Sequence, residues 1–201
     1  MKLLAFSDVH LNNAGLEAIE KKARDFSPDY LICAGDLTIF EKDIASVMDR
    51  LAKIGTPLLA VHGNHESESV FKKAMDRHKG FHFLHKKAID VDGVLFVGYG
   101  GGGFSQIEPG FEEWVRTVEP RIEKFDRIVL VTHAPPHKTQ LDEISPGSHA
   151  GVKSYRGWIM RHNLQVKLAV SGHIHETAGR EDVVGRTKVM NPGPRGKIVN
   201  I

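Results

Sequence analysis

Eight side chains of this sequence are of types that can ligate a metal or move a proton, each directly after a short apolar run: Asp8, His10, Asp36, Asn64, His65, His133, His173 and His175. Imidazole nitrogens mixed with carboxylate and amide oxygens suit manganese, iron, zinc or cobalt better than a calcium or magnesium cage. The absence of thiolate from the set excludes a zinc finger. Even seven of these exceed what one tetrahedral ion can use. Two ions sharing a carboxylate, about 3.5–4 Å apart as in two-metal hydrolases, would account for them.

The elements that must position these groups are visible just upstream of each. LLAFS runs into Asp8 and His10, YLICAG into Asp36, LLAVHG into Asn64 and His65, IVLVT into His133, and LAVSG into His173 and His175. Short runs of Leu, Ile, Val and Ala read as buried strands. In open α/β sheets the carboxyl ends of the strands converge on one crevice, so residues remote in sequence can meet there. Each pair has a plainer reading: Asp8 and His10 as capping or turn residues, Asn64-His65 as a turn, His133 as a loop histidine. Five unrelated turns rarely all choose metal ligands, and the joint reading is the metal site.

The remaining pattern alternates strand and helix. Strands are expected at 2–7, 29–34, 57–61, 127–132 and 166–171. Helices are expected at 14–25 (Leu16, Ile19, Ala23 and Phe26 on one side), 41–53, Ser67 to His78, from 111 onward, and 153–162. FHFLH, KAIDV and VLFVGY read as short strands, with Asp92-Gly93 as a hairpin turn. A long polar loop follows His133, and TKVM and KIVNI form two strands split by the turn NPGPRG. The run Gly100 to Gly103 allows close backbone approach to a ligand but lacks a dinucleotide-binding spacing. No repeat or linker interrupts residues 1–201, which are expected to form one domain.

Composition narrows the function classes. With 201 residues the chain can bury roughly 70% of its unfolded surface. Apolar residues are 41% and charged residues 26%, a soluble globular balance. A net charge of +2 implies no strong pull toward nucleic acid or anionic membrane. The lone Cys33, inside YLICAG, reads as a buried core thiol and fits a reducing compartment. LLAF is too short for a secretory apolar region, and no stretch reaches the ~18 residues of a spanning helix, so a cytoplasmic location is expected. Histidine is the oddity: twelve residues, five of them in the ligand clusters. His62 reads as a strand-end core histidine; His78, His82, His85, His137 and His162 as surface or packing residues. His149, in a glycine-flanked loop, is a candidate to face substrate, with Ser154 and Arg156 behind it. Lys72-Lys73, Arg77-His78-Lys79 and Lys86-Lys87 read as a solvated face, because aromatics are only 7% and do not interleave with them.

Asp8-Val9-His10, Gly35-Asp36, Gly63-Asn64-His65-Glu66, Thr132-His133 and Gly172-His173-Ile174-His175 together resemble the five ordered blocks of the calcineurin-like metallophosphoesterases. GYGGGG, THAPP with Leu141-Asp142, His149-Ala150-Gly151 and SGHIHETAG are similar to the small Icc-related branch. NPGP resembles the turn before that family's last strand. The resemblance implies an α/β fold, a four-layer αββα sandwich of two mixed β-sheets flanked by helices. It also implies roles: Asp8, His10 and His175 on one metal, Asn64, His133 and His173 on the other, Asp36 bridging, and His65 catalytic. The family often carries GDxxD, whose second Asp orients the catalytic histidine. Here that position is Ile39, leaving Thr38 or Glu41 to hold the imidazole, or His65 less well placed.

The expected activity is hydrolysis of phosphodiester or phosphomonoester bonds, nucleotide-type substrates included, by a dimetal-bound hydroxide. Two divalent ions lower the pKa of bound water from ~15.7 toward ~7. Asp8 and Asp36 offset only part of their charge, and the pocket stays cationic toward phosphate. His65 would protonate the leaving alkoxide. The expected cofactors are two divalent ions, manganese first, with zinc, iron, nickel or cobalt as alternatives. The expected partner is a small phosphate ester, with no membrane and no dedicated nucleic-acid surface. Oligomeric state is open, a homodimer being one outcome. A nuclease on the same core, which would need a DNA-binding extension, and a catalytically weak protein-interaction scaffold are the competing readings.

Overall fold

Strands form where the apolar runs lie, because Leu, Ile, Val and Phe on both faces of a pleated ribbon can be buried only between two further layers. The computed structural model describes residues 1–201. The chain begins β1 (Lys2–Phe6), α1 (Asn13–Phe26), β2 (Tyr30–Cys33), α2 (Ile44–Ala52), β3 (Leu58–Ala60) and α3 (Glu68–Met75). It continues through β4 (Phe81–Phe83), β5 (Lys87–Val91), β6 (Val94–Tyr99), α4 (Pro109–Ile122), β7 (Ile128–Thr132), β8 (Glu143–Ser145) and β9 (Ser148–His149). It closes with α5 (Lys153–Arg161), β10 (Val166–Val170), a 3-10 turn at His175–Thr177, β11 (Glu181–Val184), β12 (Thr187–Met190) and β13 (Lys197–Asn200).

Two mixed sheets result. One has the order β13-β1-β2-β3-β4, parallel except for the antiparallel edge β13; the other is β11-β12-β10-β7-β6-β5, parallel at its centre with antiparallel β11 and β5 at its edges. Side-chain alternation sorts the apolar residues into three cores. Leu3, Ala5, Ile32 and Leu59 meet Phe96, Val129, Val131, Leu168 and Val170 between the sheets. Leu4, Phe6, Leu31 and Cys33 face α1, α2 and α3 through Leu16, Ile19, Val47, Met48 and Phe71. Leu95, Val97, Ile128 and Leu130 face α4 and α5 through Phe111, Val115, Tyr155 and Trp158. This is the expected αββα sandwich. Each fully buried Leu, Ile, Val or Phe contributes about 1.5–3 kcal/mol, so the sheet cores hold the strand ends rigidly.

Local signals explain most boundaries. Asn12 caps α1 by accepting the N–H of Gly15, and Ser67 caps α3 by accepting that of Val70. Asp92 (φ 51) and Gly93 (φ 77) both take the left-handed conformation of a two-residue hairpin turn. Departures have local causes too. Helix α2 starts at Ile44 rather than at 41, because Phe40, Glu41 and Asp43 have φ of 49, 65 and 54 and break the helical path. The polar loop after His133 contains the β8–β9 hairpin, and β11 precedes TKVM; both are too polar and short for alternation to reveal. Phe26, expected on the buried side of α1, is 48% exposed beside the αL-capped end at Ser27. Cys33 is fully buried, and burial pushes its thiol well up. No helix is long and apolar enough to cross a membrane.

Candidate metal centre

All five apolar runs are strands, and the loops leaving β1, β2, β3, β7 and β10 carry the eight residues singled out in the sequence. Backbone bonds knit these loops beyond the strand ends. Asp8 N–H donates to Gly35 O (3.0 Å), His10 N–H to Asp36 O (3.1 Å), and Gly172 N–H to His133 O (2.8 Å). The centre therefore lies on the shared carboxyl edge of both sheets, where open α/β folds bind ligands.

The structure brings all eight residues together. Three overlapping groups, Asp8–His10–His175, His10–Asp36–His65 and Asp8–Asp36–His133, each have their ligand atoms within 4.8 Å of one another. Asn64 Oδ1 joins the set, 2.8 Å from His133 Nε2 and 2.9 Å from His173 Nδ1. His10 Nε2 and His175 Nε2 stand 3.1 Å apart. Asp36 Oδ2 lies between the two halves, 3.7 Å from His10 Nε2 and 3.4 Å from His133 Nε2. His65 falls within one of these ligand groups as well as beside the site, so geometry gives it a place next to Asp36 and His10.

Local backbone is sacrificed for this convergence. Asp8, His10, Asp36 and His173 have φ of 54, 45, 53 and 69, a conformation that costs a non-glycine residue about 1–3 kcal/mol. Glycines make room beside them. A Cβ on Gly63 would overlap the Asp36 carboxylate, and one on Gly172 would overlap that of Asp8. Gly101, Gly102 and Gly103 of the glycine run also have positive φ, and a Cβ on Gly103 would strike the His173 ring. The run forms a wall against the His173 ring.

Hydrogen bonds aim the ligands. His173 N–H donates to both carboxylate oxygens of Asp8 (3.0 and 3.1 Å), His65 N–H donates to Asp36 Oδ1 (2.9 Å), and His133 Nδ1 donates to Ala34 O (2.8 Å). Burial alone would raise the Asp36 carboxyl, but the His133 imidazole and the His65 N–H outweigh it and hold it at about 2. Burial likewise opposes charge on His133, yet Asp36 lifts it to about 9. The two form an ion pair when no cation takes the place of the proton.

Sequence reasoning passed over Glu66. Its buried carboxylate accepts the N–H groups of Asp36 (3.2 Å), Thr38 (2.7 Å) and Gly63 (3.2 Å) and the Thr38 hydroxyl (3.0 Å), tying the β2 and β3 loops into one unit. Burial and the neighbouring Asp36 raise its pKa. Its signal was its place in the GNHE block. Neither Thr38 nor Glu41 holds the His65 imidazole: the Thr38 hydroxyl is spent on Glu66, the Glu41 carboxylate accepts the N–H of Ser67, and Glu41 reaches His65 through its own N–H, which donates to the His65 carbonyl (3.1 Å). The buried Nδ1 of His65 has no partner, and the ring is instead packed between Phe40 (centroids 4.7 Å) and His10 (4.8 Å, edge-on). Ile39 is 44% exposed and supplies nothing.

The other histidines divide as their neighbours dictate. His62 and His85 are buried against each other, centroids 4.7 Å apart, and burial holds each at about 4. His82 is exposed, while His137 and His162 are packed. His149 is half-buried, its Nδ1 2.8 Å from the buried Asp142, which also accepts the N–H groups of Lys138, Thr139 and Gly151. Ser154 bonds Glu112, and Arg156 bonds the carbonyls of His137 and Lys138, so both serve the scaffold.

Comparisons with known proteins agree with this geometry. The family profile for calcineurin-like phosphoesterases matches residues 1–177. An uncharacterized protein of Methanocaldococcus jannaschii is 30% identical over 208 residues, covering 99% of this chain and 91% of that protein. A Thermus thermophilus crystal structure superposes with a TM-score of 0.75 at 18% identity, covering 96% of this chain and 88% of the other. A dimetal phosphatase from Danio rerio gives 0.58 at 13% identity, covering 94% and 86%. With the family profile spanning the five loops that carry the convergent residues, the chain belongs to the calcineurin-like phosphoesterase family.

Proposed function

We propose that this chain is a metal-dependent phosphoesterase, hydrolysing phosphodiester or phosphomonoester bonds, nucleotide-type esters included. The observation that carries the reading is the position of Asp36 Oδ2, within 3.4 and 3.7 Å of His133 and His10 and thus common to two nests of ligands. The donor set fits two divalent ions. Facing imidazole nitrogens 3.1 Å apart at His10 and His175, and an amide oxygen 2.8–2.9 Å from two further imidazoles, form a cluster that a shared cation would satisfy.

Asp8, His10 and His175 would hold one ion, Asn64, His133 and His173 the other, and Asp36 both. When bound, such a pair supplies Lewis-acid polarisation of the phosphoryl group and acidification of water. The chain's own contribution is positioning and proton transfer. Glu66 fixes the distance between the Asp36 and Asn64 loops, and the Asp8 carboxylate fixes the His173 loop to β1 across the two sheets. His65 Nδ1 is buried, which leaves Nε2 as its working atom. A proton on that nitrogen is the one it would deliver to the leaving oxygen. Ring packing by Phe40 and His10 takes over the orienting role that an Asp at 39 would have had.

The test is a panel of bis-aryl diesters, monoesters and cyclic nucleotides with stripped protein and Mn, Zn, Fe or Mg restored. Turnover of at least one ester, dependent on the restored ion, is expected. Inactivity on every ester with every ion would replace this reading with the interaction scaffold.

A further inference from the structure

Two phenylalanines stand out as the most exposed large apolar residues: Phe104, 82% exposed, and Phe40, 77% exposed. Both lie against histidines of the metal centre. The Phe40 ring is 4.7 Å from that of His65 with 38° between planes, and Phe104 meets His173 edge-on at 5.5 Å. An exposed phenyl forfeits the burial that normally holds such a residue in place. Phe40 also sits at φ 49 and Glu41 at φ 65, strained values for non-glycine residues. No core contact repays that cost at the tip of the turn. Beyond its packing on His65, the ring stays largely open to solvent.

Beside Phe40 is an open depression of about 440 Å³, bordered by Phe40, Glu41, Asn64, His65, Glu66 and Ser67. Phe40 is its one apolar wall, and Asn64 and His65 connect it to the ligand cluster. For an ester whose phosphate sat on the cluster, this depression is the adjoining space, with Asn64 and His65 between the two.

We propose that Phe40 and His65 form a leaving-group subsite that selects phosphate esters bearing a planar aromatic ring, by stacking of that ring on Phe40. The inference rests on the phosphoesterase reading above and names its substrate class. A flat ring gains from an aromatic face what a saturated chain does not, and stacking is sequence-tolerant because any aromatic heterocycle or aryl group has such a face.

Non-hydrolysable phosphonates separate this claim from its parent. Calorimetric binding of methyl-, cyclohexyl- and phenylphosphonate is measured on the metal-loaded wild type and on Phe40→Ala, Phe40→Trp and Phe104→Ala. In wild type, phenylphosphonate is expected to bind about tenfold tighter than methylphosphonate, with cyclohexylphosphonate clearly weaker than phenyl. Phe40→Ala should abolish most of the phenyl preference, and Phe40→Trp should keep it. Equal affinity for phenyl and cyclohexyl, or for phenyl and methyl, overturns the subsite while leaving the phosphoesterase reading intact. Loss of the preference in Phe104→Ala but not in Phe40→Ala also overturns it. Failure of all three phosphonates to bind sinks the parent reading with it.

Discussion

Asp36 Oδ2 stands 3.4 Å from Nε2 of His133, a carboxylate of one sheet's loop facing an imidazole of the other's. Both groups are buried, and the pairing pulls the acid down to about 2 and the imidazole up to about 9. A cation bound here would displace the proton that His133 otherwise holds opposite Asp36. Asp36→Asn therefore removes charge that both halves of the centre use. Metal content by elemental analysis should fall along with turnover; full occupancy would contradict a shared ligand.

His65→Ala tests the division of labour. If its role is proton delivery, metal content persists while turnover drops by ~10²–10⁴. Its ring nitrogen also lies in a ligand group with His10 and Asp36. Loss of metal in this variant would move His65 from acid to ligand.

Glu66 holds three backbone N–H groups and a hydroxyl in a buried site. Glu66→Ala leaves those donors without partners, at a cost of about 2–4 kcal/mol in unfolding free energy of the metal-free protein. An unchanged urea midpoint would mean the two loops are held by something else.

The His62–His85 pair sets a pH dependence. Both are held neutral by burial, at about 4 against an ordinary 6.5. The unfolded chain therefore binds more protons between these values, and stability present above about pH 6.5 is lost as pH falls toward about 4. Glu66 and Glu108, raised by burial, work in the opposite sense, while His137 and His173, lowered by burial, add to the loss. The metal-free protein should therefore lose stability as pH falls across that window. Urea unfolding that is flat with pH there would show that the pair does not titrate with folding.

Gly63→Ala is the backbone counterpart. Its Cβ would collide with the Asp36 carboxylate and the backbone N of Asp36, which cannot give way without dissolving the centre. The variant should fold with a weakened or absent metal site, read as lost metal content with the secondary-structure spectrum retained. Normal metal content would show that the β3 loop can move aside.

The strands and the positions of the residues that converge beyond them were legible in the chain because both signals are local. A buried strand needs consecutive apolar residues, and His, Asp and Asn directly after one are conspicuous. The start of α2 was not legible, since the break comes from left-handed backbone at Phe40, Glu41 and Asp43 rather than from any Gly or Pro. Nor was the β8–β9 hairpin, whose Glu143, Ser145 and Ser148 carry no apolar alternation.

By itself the sequence determined which side chains could bind a cation and which elements precede them, because residue type and short-range periodicity are properties of the polymer. Tertiary structure alone decided that Asp36 is common to His10 and His133, that Glu66 ties two loops, and that the Phe40 ring, rather than a side chain of Thr38 or Glu41, packs on the His65 imidazole. Those are relations across sheets and between turns. They depend on strand order, register and the path of each loop, which only the packed molecule specifies.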